Sequence, residues 1–342
     1  MRRPTIKDLA QTAGVSVVTV NRVLAGADGV RQSTRDAVQD AAEKIGFYGL
    51  GAIQARVAAS RPRHRFGFLL LQPHRPFYQN CATAIREAAS AVAGADVDVR
   101  IEFLEDLAPQ NTASRLLALA EDCDSVCITS AVHPLVTQAV ETLQGRGMPV
   151  FAFITQLSAT GQVHYVGLDN WKVGRTAGWA MENICKTHGK IGILMGSPRY
   201  RNQEMNEAGF RSYLREHASG FTLLEPLPTF ESSTVAEEMA ERLLNNNPDL
   251  AGIYVAGGGI SGALAAIRSS GRAGEIVVIG YELMDITRSA LLDGTMTLAI
   301  CHPLQRLAQH LIDGMCRAVM TRAAGRNFTS ILPFEIYTRE NI

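Results

Sequence analysis

Val17, Val18, Asn21 and Arg22 share the outward face of a short helical pattern, and together they offer what a base pair asks for in a groove. An arginine suits guanine O6 and N7, an asparagine can read adenine or hold a phosphate, and a valine methyl is most useful against a thymine methyl. Two solvent-facing valines are otherwise wasteful. Thr5, Ser16 and Thr19 add small hydroxyls near helix N-termini, a type of group that fixes register on phosphates without reading sequence. Capping alone is their plainer role, and both can coexist. A second constellation, Gly257-Gly258-Gly259-Ile260-Ser261-Gly262, spells G-x-G-x-x-G between a strand and a helix, with Glu282 ending the next strand. That pattern suits a dinucleotide pyrophosphate on a helix N-terminus and would by itself indicate an NAD-dependent enzyme. Against this, it lies in the last third of the chain and no neighbouring segment offers a hydride-transfer partner. Close helix-to-strand approach explains the glycines without a cofactor.

The elements that must position the first set are legible. Ile6, Leu9, Ala10 and Ala13 follow the i, i+3, i+4, i+7 spacing of one apolar helix face, and Thr5 with Asp8 forms a capping box at its start. Gly14 turns the chain, Ser16 caps a second helix, and Val20, Val23 and Leu24 face inward. A third helix is predicted from a Ser33 to Asp36 capping box, through Val38, Ala41, Ala42 and Ile45, to a left-handed stop at Gly46. Charge follows the same division. Residues 1–65 hold eleven Lys and Arg against five Asp and Glu, a net of +6, whereas the rest of the 342-residue chain carries −6. A basic head on an acidic body is the electrostatic footprint of a nucleic-acid module joined to something that does not touch DNA.

The run Thr5 through Leu24, centred on Ala13-Gly14-Val15-Ser16 and Thr19-Val20, resembles the headpiece of the lactose-repressor (LacI/GalR) family. The resemblance implies that Val17, Val18 and Arg22 read an operator. It also implies a homodimer on near-palindromic double-stranded DNA, under the control of a small molecule. In that family the following stretch is a hinge helix that opens with Pro-Asn and pushes a leucine into the minor groove. This chain departs from the pattern. Gly49 and Leu50 replace Pro-Asn, the Ala55-Arg56 pair sits late, and the wedge leucine has no clear match, which leaves Ile53 or Val57 as substitutes. A flexible basic tether is the alternative.

From Arg65 onward, short apolar runs alternate with helical patterns: strands at 66–71, 97–104, 125–129, 150–154 and 165–168, then near 190–195, 221–226, 250–256, 275–281, 296–301 and 331–337. Continuous apolar strands with helical crossovers mean parallel sheets covered on both faces, and this length is too much for one lobe. The expected fold is an N-terminal all-α helix-turn-helix headpiece (1–48) and a hinge or linker (49–64). An α/β periplasmic-binding-protein-like effector domain of two doubly wound parallel-sheet lobes (65–342) follows, as the resemblance also implies. Ligands in such sheets bind outside the carboxyl ends of the strands.

Sugars ask for flat aromatic faces and for planar groups that pair with hydroxyls. Phe77, Tyr78 and Trp171 fit the first need; Gln156, Asn206, Glu282 and His302 fit the second. Each has a plainer alternative as core, cap or surface group. Relative to the family pattern, Arg75 stands where Asn is usual, Asn206 where Arg is usual, and Gly257-Gly258 where Asn-Asp is usual. The changes at Asn206 and Gly257-Gly258 weaken a strong anion clamp, which favours a neutral sugar or polyol, although Arg75, Arg199 and Arg201 could restore positive charge.

Nothing in the sequence points to other catalysis, a metal or a resident cofactor. The cysteines at 81, 123, 127, 185, 301 and 316 form no C-x-x-C pair, and the eight histidines lack metal spacing. They read as reduced thiols of a cytoplasmic protein. No apolar run spans a bilayer, and a helix-turn-helix occupies the place of a signal peptide. Without a heptad tail, a dimer is the default expectation.

Overall fold

The computed structural model describes residues 3–59, 61–321 and 328–342. The chain divides into two compact units, Met1–Arg65 with Ala89–Asp98, and Phe66–Ala88 with Val99–Ile342.

The first unit begins with α1 (Ile6–Ala13), α2 (Val17–Ala25) and α3 (Gln32–Lys44). Thr5 and Asp8 close the capping box from both sides, and Gly14 ends α1 in the left-handed conformation that a Cβ would penalise. Ser16 accepts from the Thr19 N–H at 3.1 Å, so α2 starts where the sequence predicts. The third box does not form. Helix α3 begins at Gln32 with Arg31 as N-cap and no side-chain cap bond, which leaves Ser33 inside the first turn. Leu9, Ala10, Val20, Val23, Val38, Ala41 and Ala42 meet in one buried core. A fourth helix, α4 (Leu50–Ala59), covers the region expected to be a hinge or tether.

The second unit holds two sheets. Strands β1 (Arg63–Leu71), β2 (Asp96–Leu104), β3 (Ser125–Ile128), β4 (Val150–Phe153) and β5 (His164–Leu168) alternate with α5 (Pro76–Ser90), α6 (Pro109–Ala120) and α7 (Pro134–Gly145). The chain then crosses through α8 (Asn170–Ile184) into β6 (Lys190–Met195), α9 (Arg201–His217), β7 (Thr222–Leu223), β8 (Leu227–Pro228), α10 (Ser233–Asn246) and β9 (Leu250–Val255). It continues through α11 (Ile260–Ser269), β10 (Val277–Tyr281), α12 (Asp285–Leu292) and β11 (Leu298–Cys301). Helix α13 (Leu304–Thr321) returns to pack on β5, and β12 (Thr329–Leu332) and β13 (Glu335–Tyr337) follow.

The first sheet runs β2-β1-β3-β4-β5-β12 and the second β7-β6-β9-β10-β11-β13, with β8 also on β6. In the first lobe β2 flanks β1 and β3 lies on its other side; in the second, β7 and β8 flank β6 and β9 lies on its other side. Each sheet therefore has a switch point, between β1 and β3 and between β6 and β9. In the second lobe, Val255, Val278 and Ala299 pack under α10 to α12, while Ile193, Tyr254 and Ile279 pack under α8 and α9. Both faces are covered, which is why the strands read as apolar runs.

Two expected strands break at prolines. Pro226 lacks the N–H a ladder needs and separates β7 from β8. Pro333 divides 331–337 so that β12 pairs in parallel with β5 in the first sheet while β13 runs antiparallel to β11 in the second.

Helices α8 and α9 touch backbone to backbone. A Cβ at Gly174 would overlap the Asn206 carbonyl oxygen, and one at Gly209 would overlap that of Trp171. No side chain can yield there, so Gly209→Val is expected to destabilise the domain by about 3 kcal/mol, the upper end for overpacking. Calorimetry that returned an unchanged Tm for this variant would contradict the packing argument.

Candidate functional site

On the headpiece, α2 presents Val17 (38 % exposed), Val18 (68 %), Asn21 and Arg22 to solvent, as the spacing predicts. The Arg22 guanidinium donates to the Asp28 carbonyl at 2.8 Å, an exposed bond that a base edge or phosphate can replace. Thr5 donates to Asp8 at 2.7 Å, and Ser16 shares a 2.9 Å hydrogen bond with Thr19. These hydroxyls are engaged in capping.

Ile53 and Val57 require correction as candidate wedges. Both are fully buried in the headpiece core. One helical turn apart, they form the apolar stripe by which α4 packs on α2 and α3, so neither is presented to DNA in this conformation. Among the described residues of α4, Gly51, Ala52, Gln54, Ala55 and Arg56 are exposed.

In the second unit the strand ends of both lobes converge. Glu282 closes β10 with φ +66, a conformation rare outside glycine, and its carbonyl is held by the Thr287 hydroxyl at 2.6 Å. Its carboxylate accepts the His302 backbone N–H at 3.3 Å and pairs with His302 Nδ1. His302 follows β11, is buried, and keeps Nε2 without a partner. The Phe77 ring, from the first turn of α5, lies 5.7 Å from the imidazole between centroids. These groups border a cavity of about 380 Å³ that is also lined by Asn80, Glu335 and Tyr337. An aromatic face, a carboxylate and an unpartnered imidazole nitrogen around such a volume are what a polyhydroxylated ring needs.

Arg75 takes another role. Leaving the end of β1, it crosses to the second lobe, where Nη1 donates to Glu231 Oε2 at 2.6 Å and Nη2 to the Glu231 carbonyl. The other carboxylate oxygen accepts from Gln203 at 2.6 Å and from the Gly258 N–H at 3.4 Å. Phe230 and Glu231 both have positive φ, +51 and +62. Tyr78, beside Phe77, is buried; burial first and the Glu231 carboxylate second push its phenol well above the usual range, so it stays protonated.

The glycine loop is thus filled by protein. A Cβ at Gly257 would overlap the Gln203 side chain, and one at Gly258 the Glu231 carboxylate. Gly262 serves close helix-to-helix approach, since a Cβ there would overlap the Ser233 carbonyl of α10. The expected approach was helix to strand. A carboxylate sits where a pyrophosphate would need to lie, which opposes the dinucleotide alternative.

The remaining candidates stand apart from the cavity. Gln156 is exposed beyond β4, Trp171 is 38 % exposed in the first turn of α8, and Asn206 is buried in α9 with Oδ1 unpartnered. Of the other arginines weighed as anion ligands, Arg201 pairs with Glu204 at 3.2 Å and Arg199 is exposed. Sequence reasoning missed Glu231 and Gln203. Their trace was the group of glycines at 196, 257 and 258, none of which can carry a side chain beside them.

A family model for the periplasmic binding protein domain matches residues 66–320, and one for bacterial regulatory proteins of the lacI family matches residues 5–49. The maltose regulon regulatory protein MalI of Escherichia coli is 27 % identical over 86 % of this chain and 84 % of its own. The D-ribose/D-allose-binding protein of Pseudomonas aeruginosa is 29 % identical over 39 % of this chain; the match spans only 41 % of that relative. Among solved structures, a periplasmic solute binding protein of Actinobacillus succinogenes with bound D-allose superposes with a TM-score of 0.71 at 17 % identity, over 82 % of this chain and 98 % of that one. That likeness shows the fold. Head and body together assign the chain: it belongs to the lacI family of bacterial regulatory proteins, with a helix-turn-helix headpiece joined to a domain of the periplasmic-binding-protein fold.

Proposed function

We propose that this chain is a transcriptional regulator, most simply a repressor, that binds a near-palindromic operator as a homodimer and releases or tightens its grip when a neutral sugar or polyol enters the cleft. The observation that carries this reading is the joint presence of an exposed Val17-Val18-Asn21-Arg22 face on a capped helix and a two-lobed cleft with an aromatic-carboxylate-imidazole cavity. Residues 1–48 read DNA, 49–64 connect, and 65–342 bind effector and dimerise. Two headpieces on a two-fold axis match two half-sites. DNA and effector affinities are then coupled in both directions.

A neutral ligand fits the charges: Arg75 and Arg201 are answered by protein carboxylates, so neither is free to clamp an anion. Related proteins bear names of sugar regulators and sugar-binding proteins, which accords with this class. The setting is cytoplasmic, where an operator can be reached; no helix among the described residues is long and apolar enough to cross a membrane.

The test is fluorescence anisotropy of the full chain on its own upstream intergenic DNA, with and without a panel of pentoses, hexoses and polyols. Salt-dependent binding that one compound shifts is the expected result. For that compound, Glu282→Ala is expected to raise the Kd by at least about tenfold, the loss of one charged hydrogen bond. DNA binding without the compound should be unchanged. A protein that binds no upstream DNA under any ligand would overturn the reading.

A further inference from the structure

The cleft contains a second, chemically distinct subsite. In open parallel sheets the switch point is where a ligand is received, and in the second lobe that place, between the ends of β6 and β9, is built around the Glu231 carboxylate. The construction is specific. Gly196, Gly257 and Gly258 have no side chains where a Cβ would overlap Glu231 or Gln203. Gln203 is anchored by the Ser197 N–H at 3.0 Å and gives its amide hydrogen to Glu231. The Thr229 hydroxyl fixes the Gly258 carbonyl at 2.7 Å. Backbone strain at Phe230 and Glu231 turns the carboxylate into this cradle. Only 6 % of the Glu231 side chain is exposed.

A carboxylate so enclosed needs a cation, and the cradle supplies none of its own: Gln203 and Gly258 are neutral donors. The cation arrives from the other lobe. Arg75 places its guanidinium against one carboxylate oxygen and the Glu231 backbone carbonyl, a planar two-point contact. Arg75 is therefore bound as a ligand is bound, except that it is tethered to the first lobe.

We propose that the Glu231–Gln203–Gly258 cradle is a subsite for a guanidinium or primary ammonium group, of which Arg75 is the resident occupant. A free compound bearing such a group takes the same place when Arg75 leaves it. The inference concerns the cleft alone and stands or falls independently of operator binding. It also refines the effector reading, because a neutral sugar finds this end of the cleft taken and is confined to the Phe77, Glu282 and His302 end.

The test uses the full chain with Arg75→Ala, and separately with Arg75→Met, which keeps the apolar stem. Each is titrated with methylguanidinium chloride at constant ionic strength, followed by thermal shift and calorimetry, with sodium and tetramethylammonium chloride as controls. Both variants are expected to bind methylguanidinium saturably, with a Kd on the order of 1–10 mM for so small a ligand. The wild type, its cradle filled, should show at least about tenfold weaker binding, as should Arg75→Ala combined with Glu231→Gln. If a variant is unfolded alone, recovery of its circular dichroism by methylguanidinium and not by the controls reads the same occupancy. Binding equal in the wild type or in the double variant, or no binding and no recovery in either single variant, would overturn the proposal.

Discussion

Leu9→Ala is expected to abolish operator binding while leaving the larger unit folded. Leu9 is fully buried where α1, α2, α3 and α4 meet, packed with Val20, Val23, Val38, Ile53 and Val57. Truncating a buried leucine costs about 2–5 kcal/mol. A unit this small buries proportionally little surface and has little stability to lose. Even about 3 kcal/mol spent on refolding the headpiece lowers DNA affinity by at least about 100-fold. Calorimetry should show a headpiece transition moved to lower temperature or lost, with the transition of the larger unit in place. Operator affinity within threefold of wild type would mean that the buried cluster does not hold the reading face.

The second large effect is expected at Glu231. Glu231→Ala leaves the Arg75 guanidinium in a mostly enclosed site without its countercharge, and also deprives Gln203 of its acceptor. Removing one partner of a buried pair costs about 3–5 kcal/mol. Because 18 % of the Arg75 side chain remains exposed, water relieves part of this, and the lower end, about 3 kcal/mol, is expected. The double variant lacking both side chains should recover much of the loss, since no orphaned charge then remains. Urea unfolding measures both. If Glu231→Ala unfolds at the wild-type midpoint, or if the double variant falls by the sum of the two singles, the pair contributes nothing as a pair.

What was legible in the sequence follows from the range of the interactions involved. The Thr5 box and the Ser16 cap connect residues three apart, so spacing alone reveals them. Ser33 and Asp36 have the same spacing, yet helix α3 starts two residues earlier than such a box allows, at Gln32. Parallel strands buried on both faces announce themselves as apolar runs. The division at Pro333 passed unnoticed because residues on both sides of it look equally strand-like, and only the partner strands differ. Ile53 and Val57 were visibly an apolar pair, but whether that pair meets a minor groove or the head's own core is decided by packing that no local pattern encodes. Glu231 was the least legible. Its partner Arg75 is 156 residues away, and the loop bearing it carries no motif.

The split at Pro333 also orders events during synthesis. The edge of the first sheet at β5 is completed by β12, and its flank by α13, both made after every strand of the second lobe except β13. While the ribosome builds β6 through β11, β5 presents an unpaired edge, the kind that recruits strands from other chains. Helices α1 to α3 need nothing so distant, since their core is assembled from residues that all precede the strands. The nascent polypeptide thus has a finished DNA-reading head long before it has a sealed ligand domain, and a growing chain that stalls midway leaves its first lobe open to aggregation.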